Sequence, residues 1–217
     1  MDVYEAIEKR RSIRNFKQGI SEDQLLKLLL AGVKAPSGSN VQPWEFIIID
    51  DSKIVEQIAK HKYRQSLKNR IDQMVLDDPG IIEKICGQTL EPISSKRPME
   101  QHMNNYLNST VVAVCNKKGH GIGRKPWMNV ENTASTWMCI ENMALAATAD
   151  GLGFQISILR EEHKIAVEKL LGIPEDYELA TMVLIGIKGE EPGEKRGGVR
   201  PEFSWFHKNK FGNSATL

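Results

Sequence analysis

The chain has 217 residues, 41% of them hydrophobic and 26% charged, with a net charge of +1. That length and balance describe one globular domain burying about 70% of the surface its unfolded form exposes. They exclude a sequence-blind nucleic-acid binder, which draws its affinity from phosphate neutralisation, and a membrane span, because the longest apolar runs (residues 111–115 are one) fall far short of the roughly 20 a bilayer requires.

Met1 leads directly into the polar Asp2-Val3-Tyr4-Glu5 without a signal-peptide core, so a soluble, cytoplasmic protein is expected. Asp2-x-x-Glu5 is a capping-box pattern and predicts a helix ending near Arg10, with Val3 and Ile7 on one face. Ser21-x-x-Gln24 repeats the pattern before the leucine-rich run 25–30 and predicts a stronger helix, stopped around Pro36. Residues 44–49 are β-rich and predict a buried strand, and 52–78 read as a helix closed by Asp77-Asp78-Pro79-Gly80. From 80 to 106 the periodicity is weak and no element is assigned. A second strand is predicted over 110–115, a glycine-rich loop over 117–126, and a long helix over 129–149 that reads as apolar nearly all round. Such a helix belongs inside a core or at a large subunit interface. Residues 154–159 read as extended, 161–171 as a helix with Gly172 past its end, and 181–187 as a third strand. The tail from Gly189 is polar and carries Trp205, Phe206 and Phe211. Helices separating strands, with more helix than strand, give an α+β pattern. No repeat or linker divides it.

Cys86, Cys115 and Cys139 are too few and too scattered for a disulfide framework, and the five histidines form no metal-ligand pattern, so no metal is expected. The sequon Asn108-Ser109-Thr110 reads as chance in a chain without a secretory signal.

Arg10-Arg11-Ser12-Ile13-Arg14 sets three guanidinium groups and a hydroxyl at a helix exit. Arginine forks match phosphate oxygens, but basic groups also complement the negative end of a helix dipole. Pro36-Ser37-Gly38-Ser39-Asn40-Val41-Gln42 offers small residues, hydroxyls and carboxamides just before a strand. This chemistry suits the polar edge of a flat heterocycle, and it equally suits an ordinary turn. Residues 119–125 contain three glycines and a lysine but match neither GxxxxGK followed by Ser or Thr nor GxGxxG, so a mobile loop is expected there and not a phosphate loop. No GxSxG motif is present, and hydrolase chemistry has no support. Lys195, Arg196 and Arg200 fit a solvated charge run or one side of an anion site.

Taken in order, RRSIRNF near the start, APSGSNVQPWEF, ENMALAATADGLGF and the basic tail resemble the nitroreductase family of flavoproteins, over about residues 1–60 and 109–200. The resemblance implies an FMN-dependent α+β sandwich spanning residues 1–217 as one domain, with a central mixed β-sheet flanked by helices. It implies a homodimer with FMN at the subunit interface, the tail 189–217 packing on the partner. By similarity, Arg10, Arg11, Ser12 and Arg14 hold the phosphate and ribityl chain. Pro36, Ser37, Gly38, Ser39, Asn40 and Gln42 line the flavin from the adjoining subunit. Ile156, Ser157 and Ile158 lie beside the ring and present a backbone N–H to its reactive nitrogen. Arg200, or else Arg196, completes the phosphate site. A second FMN-contacting stretch, found after the first strand in many members, has no counterpart in 61–75.

The implied reaction takes a hydride from NADH or NADPH and delivers electrons to a nitroaromatic or quinone acceptor. The chemistry is the cofactor's, and no side-chain acid or base is assigned. The same scaffold also supports reductive dehalogenation, flavin fragmentation and azoline oxidation, and a non-enzymatic flavin binder is the remaining alternative.

Overall fold

The computed structural model describes residues 1–77, 99–119 and 126–190. Its elements in chain order are α1 (Val3–Lys9), β1 (Phe16–Gln18), α2 (Glu22–Gly32), a 3-10 turn (Gly38–Asn40), β2 (Trp44–Ile49) and α3 (Ser52–Asp77). Then follow α4 (Met99–Leu107), β3 (Thr110–Lys117), α5 (Pro126–Ala149), β4 (Gly153–Ser157), α6 (Glu161–Leu170) and β5 (Tyr177–Lys188).

Both predicted caps are formed. Asp2 Oδ1 accepts the Glu5 N–H at 2.9 Å, and Ser21 with Gln24 makes a reciprocal capping box. Two short elements escape sequence reading. β1 has three residues, too few to show alternation. α4 is a polar helix whose apolar positions Met103 and Tyr106 reach the core in one turn.

The sheet runs β1-β5-β3-β2, with β4 also on β5. Among the described residues every ladder is antiparallel, and the parallel character is one isolated bridge, Ser12 with Phe154. Alternation sorts the strands into two cores. Val112, Val114, Val183 and Ile185 face α2 and α5, where Leu28, Ile140 and Met143 are buried. Val111, Ala113, Met182 and Leu184 face the other layer, with Ile58 of α3, Tyr106 of α4 and Val167 of α6. Burial on both faces explains why β3 and β5 are continuous apolar runs.

Two expectations are corrected. Among the described residues β2 is an edge strand, paired only with β3, and its Ile48 is 53% exposed. α5 is not apolar all round. It buries a stripe of doublets (Ser135 and Thr136, Cys139 and Ile140, Met143 and Ala144, Ala147 and Thr148), while Glu131, Met138 and Glu141 face outward. α2 crosses this stripe closely: a Cβ on Gly32 would lie 2.7 Å from Met143 Cγ and 3.0 Å from Cys139 Sγ.

Candidate functional site

The arginine segment leaves α1 and is tied down by alternation. Ile13 is buried and donates its N–H to the Phe154 carbonyl of β4 at 3.0 Å, while Ser12 bridges the same residue. With Ile13 and Phe16 inward, Arg14 is directed outward. Its Nη1 donates to the Ser12 carbonyl at 3.4 Å. Arg10 meets Glu141 of α5 at 3.3 Å in a half-exposed pair, a contact that water and salt weaken and a phosphate can displace. Arg11 is half-buried.

The loop before β2 has a different character. Ser39, Asn40 and Gln42 adopt positive φ of 50°, 56° and 50°, a backbone that costs about 1–3 kcal/mol at each non-glycine residue and clusters at ligand clamps. The Ser37 hydroxyl accepts the Gln42 N–H at 3.0 Å, and the Gln42 carboxamide donates to Asn40 Oδ1 at 3.2 Å. Pro36, Gly38, Ser39, Asn40 and Gln42 are exposed. This loop packs on α5 near Glu131, whereas Arg10 packs near Glu141. At about 1.5 Å rise per residue, those two points stand about 15 Å apart along the helix. The loop and the arginine segment are therefore not brought together within one chain.

Of residues 156–158, Ile156 packs toward the α2–α5 core and Ser157 is buried. The Ser157 hydroxyl shares a 2.7 Å hydrogen bond with the Tyr106 hydroxyl, and burial pushes that phenol far above its ordinary range. Only Ile158 reaches the surface, at 37% exposure. Its carbonyl accepts from Lys62 Nζ at 2.6 Å and from Gln65 Nε2 at 3.2 Å, and Gln65 Oε1 accepts the Arg160 N–H at 2.6 Å. Burial first, then the charges of Arg160 and Arg14, bring the Lys62 amine down to about 8.

An amide-rich run on α4, outside 61–75, lies beside the arginine segment. Gln101, Asn104 and Asn105 join Arg14, Asn15 and Glu100 around a cavity of about 330 Å³. Asn105 is 7% exposed; its Nδ2 donates to Gln155 Oε1 at 2.6 Å, and its Oδ1 is buried without a partner among the described residues. Native interiors rarely leave such an atom unpaired, and a bound group is one reason for it. The signal was present as an amide-rich run beside Met103 and Tyr106, masked by its neighbours' mixed charge. Carboxamides and an arginine around one cavity suit the donor and acceptor edge of a flavin.

Arg196 and Arg200 lie outside the described residues, as do most of the 119–125 loop and the tail beyond Glu190. The exit of β5 nevertheless runs beside the site: Gly189 N–H donates to the Asn15 carbonyl at 2.9 Å, and Asn15 Nδ2 to the Glu190 carbonyl at 2.6 Å. Among the described residues no three metal-ligating side chains converge, and no helix is long and apolar enough to cross a membrane.

A model of the Nitroreductase family matches residues 7–187. Protein DrgA of Synechocystis is 28% identical over 200 residues, covering 90% of this chain and 89% of its own. Among solved structures, nitroreductase A of Vibrio parahaemolyticus superposes with a TM-score of 0.72 at 19% identity, covering 99% of this chain and 78% of its own. An iodotyrosine deiodinase bound to FMN and 3-iodo-L-tyrosine superposes at 0.67 with 21% identity, covering 94% of this chain and all (100%) of its own.

Proposed function

Because the chain belongs to the nitroreductase family of oxidoreductases, we propose that it is an FMN enzyme that oxidises NADH or NADPH and reduces a nitroaromatic or quinone acceptor. The observation that carries this reading is the cavity shared by Arg14 and the carboxamide residues Gln101, Asn104 and Asn105 of α4. FMN supplies the hydride and electron chemistry when bound. The protein's own groups bind and orient it: Arg10, Ser12 and Arg14 toward the phosphate and ribityl chain, the carboxamides of α4 toward the polar ring edge, and residues 156–158 beside the ring. Arg200 completes the phosphate site in this reading.

The site is shared between two copies of the chain. The 15 Å separation along α5, about ten residues of rise, supports this, since the loop at 36–42 then serves the partner's flavin. So do the exposed apolar side chains of α1, α2 and α5, including Tyr4 at 82%, Leu26 at 55% and Val130 at 68%. A dimer would cover them.

The test is a visible spectrum of the purified protein, followed by anaerobic addition of NADH and NADPH. Flavin bands that bleach, and recover with a nitroaromatic or quinone, support the reading. Bands that persist leave a flavin binder without nicotinamide chemistry. Iodide release from 3-iodo-L-tyrosine without nitro or quinone turnover would move the reaction to dehalogenation on the same flavin. No flavin band, even after incubation with FMN, would overturn the assignment.

A further inference from the structure

We propose that Lys62 and Gln65 are positioning residues: together they aim the peptide joining Ile158 to Leu159, and the Lys62 charge strengthens its N–H as a donor to the flavin. This rests on the flavin reading above and extends it to two side chains of α3 that no motif of the sequence marks.

The geometry is a clamp on consecutive peptide groups. The Ile158 carbonyl is held by Lys62 Nζ at 2.6 Å and Gln65 Nε2 at 3.2 Å. The same Gln65 carboxamide, on a side chain only 5% exposed, takes the Arg160 N–H at 2.6 Å. A trans peptide is planar, so a carbonyl drawn toward α3 turns its own N–H, that of Leu159, away from α3. The Leu159 side chain is 4% exposed, which fixes the remaining rotation. Among the described residues the Leu159 N–H meets no acceptor, although a buried donor is rarely left unpaired. A cation at the carbonyl end of a peptide polarises it and makes its N–H the stronger donor. Gln65 therefore sets direction, and Lys62 sets both direction and strength.

The charges around Lys62 make this device sensitive to pH. Arg160 faces it from the loop before α6, and Arg14 from the segment after α1. On α3, the neighbouring His61 pairs with His163 of α6, beside Arg64, and Lys68 holds Glu161 and Glu162 one turn further on. With two guanidinium groups near it and burial acting the same way, the Lys62 ammonium loses its proton near 8, well below a free lysine. A reduced, more negative flavin favours the charged form, so the break in the loaded protein lies at or above that value.

The experiment measures the affinities for oxidised and reduced FMN from pH 6 to 10, each referred to the free flavin's own titration. The native protein is expected to prefer reduced FMN at least tenfold more at pH 7 than at pH 10. Lys62→Met should lose about tenfold of that preference at pH 7 and show no alkaline break. Lys62→Arg, whose charge persists throughout, should keep the preference and lose the break. Gln65→Leu should weaken the preference and retain the break. The proposal is overturned if Lys62→Met keeps the native ratio and profile, or, should that variant not fold, if Lys62→Arg still shows the native break. Native protein that binds no FMN in either form would instead sink the flavin reading beneath it, because no ratio could then be measured.

Discussion

Ile13 and Phe154 are joined by a 3.0 Å backbone hydrogen bond, and this contact ties the arginine segment to the strand that ends beside Ile158. Two motifs about 140 residues apart in the chain are thereby brought side by side. Ile13 is buried, and alternation turns its neighbours to the other side, where Arg14 is exposed and Ser12 half-buried.

Arg10→Ala and Arg14→Ala should each weaken FMN binding by about 1.5–3 kcal/mol, the scale of hydrogen bonds to charged groups. Fluorescence titration of FMN measures this. Glu141→Gln, which removes the surface partner of Arg10, should leave stability within about 0.5 kcal/mol. Unchanged affinity in both arginine variants would remove the phosphate role from this segment.

Tyr106 and Ser157 form a buried hydroxyl pair at 2.7 Å between α4 and β4. Tyr106→Phe leaves the serine hydroxyl unpaired and should cost about 1–3 kcal/mol in urea unfolding. The double variant Tyr106→Phe with Ser157→Ala should recover part of that loss, since neither partner is then stranded. A double variant as unstable as the two losses added together would contradict this account.

Gly32→Ala should destabilise the protein by about 1–3 kcal/mol, the range for overpacking a filled core. The added methyl meets Met143 Cγ at 2.7 Å where α2 crosses α5. Gly32→Ala combined with Met143→Ala should be less destabilised than the sum of the single changes, measured by the same denaturant titration.

His61 contributes to the pH dependence of stability. Burial first, then the neighbouring His163 and Arg64, hold its pKa below the ordinary histidine value of 6.5. The folded state thus binds a proton less readily than the unfolded one. Its neutral form costs nothing above 6.5, and stability is lost as pH falls from 6.5 toward the lower folded value. His61→Gln should flatten the stability profile below about pH 6.5; a profile as steep as the native one would show that other groups carry it.

The arginine segment and the loop at 36–42 are legible because their chemistry is written in contiguous residues, and the caps at Asp2 and Ser21 because a helix start is a local event. The strands over 110–115 and 181–187 are legible for the same reason, as runs of β-branched side chains. β1 is not, because a three-residue strand exists only through its pairing with the end of β5. Likewise, the apolar count of α5 does not reveal that one face meets the sheet while the other carries Glu131 and Glu141; that division comes from packing against α2 and β3.

By itself, the sequence determined the α+β layering, the family and the positions of the local motifs, since each rests on neighbouring residues and helical or strand periodicity. Tertiary structure alone decided that Gln101, Asn104 and Asn105 stand beside Arg14, that Lys62 and Gln65 hold the Ile158 carbonyl, and that the Asn105 Oδ1 has no partner among the described residues. The physical reason is distance along the chain. Hydrogen bonds between α3 and residue 158, or between α4 and β4, form only after the sheet has brought those segments together, and no local pattern encodes them.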